Sequence, residues 1–93
     1  MDLFGNIEKG LEEYRATPGA ILVDVREADA FQKGHIPGAV NAPLSTIADA
    51  ALPIDRPLLL YCRRGMRSRR AAAILKRRGY HAKSIGGIGG YKK

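Results

Sequence analysis

Apolar residues recur along this chain in two rhythms, one that fits helices and one that fits buried strands. Between Asn6 and Ala16 the apolar positions Ile7, Leu11 and Tyr14 fall at i, i+4 and i+7. That spacing predicts one face of a helix, with Asn6 able to cap it and Gly10 weakening it. Beyond Thr17-Pro18-Gly19 comes a short, continuous apolar run, Ala20-Ile21-Leu22-Val23-Asp24-Val25, of the kind required by a parallel strand covered on both faces. Glu27 to Lys33 predicts a short helix ended by Gly34 in a left-handed cap. His35-Ile36-Pro37-Gly38 then turns the chain into a second short strand around Ala39-Val40-Asn41. Pro43-Leu44-Ser45 reads as a loop, and Ser45 as the cap of a short helix reaching about Ala50.

Leu58-Leu59-Leu60-Tyr61-Cys62 is a third buried strand by the same reasoning, ending at the cysteine because Arg63 to Arg67 is too polar and too dependent on glycine to extend it. Ser68 is expected to open a helix with Ala71, Ala72, Ile74 and Leu75 inward and Arg69, Arg70, Lys76 and Arg77 toward water, ended at Gly79. A strand around Tyr80 to Ile85 follows. Gly86-Gly87-Ile88-Gly89-Gly90 lacks the strand, lysine and helix context of a phosphate loop and reads as a turn-rich tail. Strands alternating with helices predict an α/β fold, a small, mainly parallel central sheet of four to five strands flanked by helices with right-handed connections.

At 93 residues the expectation is one small domain over residues 1–93. The one cysteine excludes an internal disulfide framework, and with two widely spaced histidines it gives no zinc pattern, so neither a metal nor a cofactor is expected. The start lacks a basic segment followed by an apolar one, and no apolar run approaches the roughly 18 residues of a membrane span. A soluble, cytoplasmic protein with no membrane partner is therefore expected. Net charge is +7, but its distribution changes the picture more than its sum. All nine acids lie between Asp2 and Asp55, whereas residues 56–93 hold twelve Lys and Arg and no acid. Such asymmetry fits an anionic partner or substrate, or else a solvated basic face. Nucleic acid is not an expected partner, because only Tyr61, Tyr80 and Tyr91 stand among those bases and no binding motif is present.

Ligands of an open parallel sheet sit beyond the carboxyl ends of its strands, which is where Cys62 falls. The segment Cys62-Arg63-Arg64-Gly65-Met66-Arg67-Ser68 would turn successive backbone N–H groups toward the sulfur at the positive end of a helix dipole. Such surroundings lower a free thiol from about 8.5 to roughly 3.5–7.5. The competing reading is an inert, buried small residue. Five arginines within eight positions after Cys62 argue against burial. Asp24 and Arg26, ending a neighbouring strand, are either catalytic or loop ties. An already ionised nucleophile needs no base, so Asp24 is expected to accept a paired hydrogen bond from Arg67 and brace the loop. His35 is expected to bond a backbone carbonyl rather than move protons, Glu27 to serve as a helix N-terminal acid, and Met66 to pack or to wall the sulfur.

Four segments together carry a resemblance: Leu22-Val23-Asp24-Val25-Arg26-Glu27, Gly34 to Asn41, Tyr61 to Ser68, and Gly86-Gly87. In order and spacing the chain resembles the rhodanese-like domain family, in its short single-domain form. The resemblance implies a sulfurtransferase whose cysteine takes the outer sulfur of thiosulfate, becomes a persulfide, and passes that sulfur to cyanide, a thiol or a sulfur-accepting protein. It makes Cys62 the nucleophile and the amides of Arg63 to Arg67 the cradle, with Asp24, Arg26, His35 and Ser68 supporting. Tyr91 stands where the family often has Trp, and the family's first strand is not evident. A non-enzymatic module for partner binding or redox sensing is the alternative. Cysteine phosphatases and arsenate reductases place five residues between Cys and Arg, whereas four separate Cys62 from Arg67.

Overall fold

A computed structural model describes residues 5–92. Helix α1 (Ile7–Ala16) is capped as expected, with Asn6 Oδ1 accepting the Lys9 N–H at 3.1 Å. Strand β1 (Ile21–Asp24), helix α2 (Ala28–Lys33) and strand β2 (Val40–Asn41) follow, then a 3-10 helix at Leu44–Asp49. Strand β3 (Leu58–Cys62), helix α3 (Met66–Arg77), strand β4 (Ala82–Gly87) and a 3-10 turn at Ile88–Gly90 complete the order. The four strands form one parallel sheet in the order β2-β1-β3-β4.

Side chains alternate across a strand, so β1 and β3 feed two cores. Val23, Leu58, Leu60 and Cys62 pack with Ala71, Ala72 and Leu75 of α3 on one face. Leu22, Leu59 and Tyr61 pack with Ile7 and Leu11 of α1, and with Ile36 and Ile85, on the other. Both faces are covered, which is why these strands read as unbroken apolar runs. Gly10 has a purpose that its helix propensity hides: a Cβ there would overlap the Ile85 side chain, so the glycine lets α1 lie close on β4. Ile85 is itself the extra residue of a bulge, since Leu60 pairs with Ser84 and Tyr61 with Gly86.

Four local expectations need correction. Gly34 has φ 161, ordinary extended backbone, and not a left-handed cap. Ser45 caps nothing; its hydroxyl donates to Glu27 Oε1 at 2.8 Å, and Pro43 precedes the 3-10 helix. Helix α3 begins at Met66, two residues before Ser68, because Gly65 at φ +101 supplies the reversal that starts it. The last strand runs from Ala82 to Gly87, so the paired glycines belong to the sheet instead of the tail. Among the described residues no helix is long and apolar enough to cross a membrane.

Candidate active site

The sulfur of Cys62 lies at the carboxyl end of β3, where the loop Arg63–Gly65 doubles back into α3. Gly65 N–H donates to Sγ at 2.9 Å and Ser68 N–H at 3.4 Å. The Ser68 hydroxyl stands 3.7 Å from Sγ, donates to the Gly65 carbonyl at 3.0 Å, and lies 2.6 Å from the Ser84 hydroxyl of β4. Ser68 is fully buried, and its position inside the first turn of α3, rather than before it, is what brings its amide to the sulfur.

Cys62 is 1% exposed, which overturns the expectation that the neighbouring arginines keep it open. Main chain encloses the sulfur while the side chains of Arg63, Arg64, Arg67, Arg69 and Arg70 project to solvent. Burial pushes the thiol up; the Ser68 amide and hydroxyl and the Gly65 and Arg64 amides pull it down, and the balance leaves it below its ordinary value. The first turn of α3 carries no acid, and several cations crowd its positive end. Cations there oppose the helix dipole, each by about 0.3–1 kcal/mol. An anion held among the amides would offset that cost.

Asp24 does not brace the cysteine loop. Its buried carboxylate accepts the Arg26 guanidinium at 2.7–3.1 Å and the Arg26 N–H at 2.9 Å, while Arg67 is exposed. The reason is proximity: two residues along the chain, Arg26 folds back on Asp24, and its Nη2 also donates to the Gly34 carbonyl at 2.7 Å. Asp24 in turn raises the Arg26 pKa. His35 behaves as expected, with Nδ1 2.9 Å from the Phe31 carbonyl and its ring stacked on Phe31. Met66, 73% exposed, is removed from core packing.

Several supporting residues escaped the sequence reading. Asn41 donates to the carbonyls of Asp24 and Arg26, both at 2.9 Å, tying β2 to the end of β1. Tyr61, with its phenol pushed up chiefly by burial, accepts the Ile36 N–H at 3.0 Å. Ser84 reaches the sulfur through Ser68. Gly87 stands against the loop's root: a Cβ there would overlap the Arg63 carbonyl and come 2.6 Å from Arg64 Cα. Only the glycine pair in the sequence hinted at such a close approach.

The family model of the rhodanese-like domain matches residues 7–93. Protein YqhL of Bacillus subtilis, itself uncharacterized, is 44% identical over 89 residues, covering 88% of this chain and 67% of its own length. Thiosulfate sulfurtransferase GlpE of Pseudomonas savastanoi pv. phaseolicola is 45% identical over 64 residues, 67% of this chain, and the match spans 60% of that relative's length. The human single-domain sulfurtransferase structure superposes with a TM-score of 0.73 at 25% identity, covering 85% of each chain. A parallel sheet with a buried cysteine at the end of β3, matched by this family over nearly its whole length, has one assignment: the chain belongs to the rhodanese-like domain family.

Proposed function

We propose that Cys62 carries sulfane sulfur from a small anionic donor such as thiosulfate to cyanide or a thiol, including a thiol on a sulfur-accepting protein. The observation that carries this reading is the pair of amides, Gly65 and Ser68, converging on one sulfur atom held below its ordinary thiol pKa. The Cys62 thiolate attacks the outer sulfur of thiosulfate; the new Sγ–S bond forms as the S–S bond to sulfite breaks, and sulfite leaves with the bonding pair. The resulting persulfide anion is the species the loop's N–H groups and the α3 dipole would hold. Arg63 and Arg64, exposed at the rim, would attract the donor. Asp24, Arg26 and His35 hold the neighbouring turn together through bonds to one another, to Gly34 and to Phe31, and have no chemical role in this reading. So tight a turn suits a single sulfur better than a tetrahedral oxyanion, which favours sulfur transfer over phosphatase chemistry.

Intact mass after incubation with thiosulfate tests the proposal. The parent should gain one sulfur atom, lost on reduction. Cys62→Ser should gain none and form no thiocyanate, because an alcohol cannot accept and release sulfur in this way. Thiocyanate production by a folded Cys62→Ser variant would overturn the assignment.

A further inference from the structure

A cleft of about 640 Å3 opens between the first half of α1, the edge strand β4 and the loop that follows Cys62. Three stretches distant in sequence place cations around it: Lys9 from α1, Arg64 and Arg69 from the loop and α3, and Lys83 from β4. Glu13 is the one carboxylate among the described lining residues, and it is already bonded to Lys83 at 2.8 Å. Lys9, Arg64 and Arg69 are exposed and make no ion pair among the described residues. Apart from Ile85, the remainder of the lining is small or polar and includes Ser84.

That chemistry selects the occupant. The volume falls within the roughly 300–1,000 Å3 of sites that enclose ligand-sized groups, far more than one small anion needs. No aromatic side chain lines the cleft among the described residues, so those residues supply no stacking platform of the kind a single-stranded nucleic acid uses. Carboxylates are the natural partners of clustered Lys and Arg, and an extended segment can run along an edge strand such as β4. The position matters as well, because Arg64 and Gly65 belong both to the cleft and to the loop around the sulfur.

We propose that this cleft docks a carboxylate-rich segment of a protein whose cysteine thiol is the sulfur acceptor; this rests on Cys62 carrying a persulfide. Docking brings the acceptor thiol to the outer sulfur. A bond forms between the acceptor sulfur and the outer sulfur as the bond to Sγ breaks, and the acceptor's proton moves to the transferred sulfur. Cys62 leaves as thiolate, so charge and electrons balance without an oxidant.

Two synthetic cysteine peptides of equal length test it, one with glutamates flanking the cysteine and one with glutamines. Single-turnover transfer from the persulfide form should be about tenfold faster to the glutamate peptide at low salt, a preference that fades at high salt. Lys9→Glu/Arg69→Glu should abolish the preference while the final extent of thiosulfate loading and, at high salt, the rate of transfer to the glutamine peptide stay at parent values. Equal rates for both peptides with the parent, or a preference that survives in the double variant, would overturn the docking site. Should no persulfide form at all, the sulfur-carrier reading fails by itself, and fluorescence anisotropy of labelled peptides still reads the cleft. Glutamate-peptide binding that the double variant loses then upholds the docking site, and absent or undiminished binding overturns it. An oligothymidylate of matching length that binds the cleft more tightly than the glutamate peptide would overturn the peptide assignment in favour of nucleic acid.

Discussion

Gly87→Ala adds one methyl group at the place where β4 meets the cysteine loop. Gly87 pairs with Cys62 across the sheet, and the Arg63 carbonyl above it accepts the Gly89 N–H at 3.0 Å. The new Cβ would overlap that carbonyl and stand 2.6 Å from Arg63 C and Arg64 Cα, against ordinary contact at 3.4 Å and beyond. All of these neighbours are main chain, so no rotamer change relieves the overlap. The loop root must move by most of an ångström, and the Gly65 amide, one residue on, moves with it. Overpacking of this kind costs about 1–3 kcal/mol of stability. A displacement of about 1 Å at a reacting group costs on the order of 100-fold in rate, so sulfur loading should fall far more than stability does. Thermal unfolding, intact-mass loading with thiosulfate, and the rate of Cys62 alkylation against pH read the separate parts. Gly34→Ala is the control: its backbone is extended, nothing lies within 4 Å of the added Cβ, and a change within about 0.5 kcal/mol is expected. A Gly87→Ala protein that loads sulfur at the parent rate would refute the idea that β4 sets the loop's geometry.

Asp24→Asn leaves Arg26 without its carboxylate in a buried setting and should cost about 2–4 kcal/mol in denaturant unfolding. Sulfur uptake per folded molecule should change little; complete loss of uptake at unchanged stability would make Asp24 chemical. Arg63→Ala/Arg64→Ala should lower donor kcat/KM about three- to tenfold at low ionic strength and much less at high, whereas equal values at every salt concentration would remove the steering role. Because the folded thiol lies below its unfolded value, the thiolate persists to lower pH in the native protein than in the unfolded chain. The stability this contributes is present above the unfolded pKa and is lost as pH falls through the folded one. The alkylation midpoint should therefore lie below that of a free thiol, about 8.5. Ser68→Ala, which removes the hydroxyl beside Sγ, should raise that midpoint, and an unmoved midpoint would remove the hydroxyl from the account.

The parallel sheet was legible in the chain because burial on both faces leaves a local mark. Leu58–Cys62 matches its strand residue for residue, and Ile7, Leu11 and Tyr14 do face the sheet. Cys62 was legible as the candidate nucleophile from the strand that ends at it and the glycine-dependent loop beyond. Boundaries set by turn chemistry were less so. Gly34 and Ser45 have types that suit caps, but the chain uses Gly34 in extended backbone and the Ser45 hydroxyl for a bond to Glu27. Asp24 pairs with Arg26 and not with Arg67, since a pattern of charges does not show which guanidinium can fold back on a buried carboxylate.

Pattern along the chain, read by itself, determined the strands, the helices and the sulfur, because each depends on residues within a turn or two. Tertiary structure alone decided what encloses the sulfur. Ser84 meets Ser68 from 16 residues away, at 2.6 Å. Gly87 meets Arg63 only because β4 lies beside β3, and Lys9 shares a cleft with Arg64 only because α1 packs over that edge. Contacts of this kind depend on which strand becomes the neighbour of which, and no local hydrophobic period records that choice. The same holds for the burial of Cys62 among five nearby arginines: side-chain polarity points to water, while the main chain of a tight loop keeps water out.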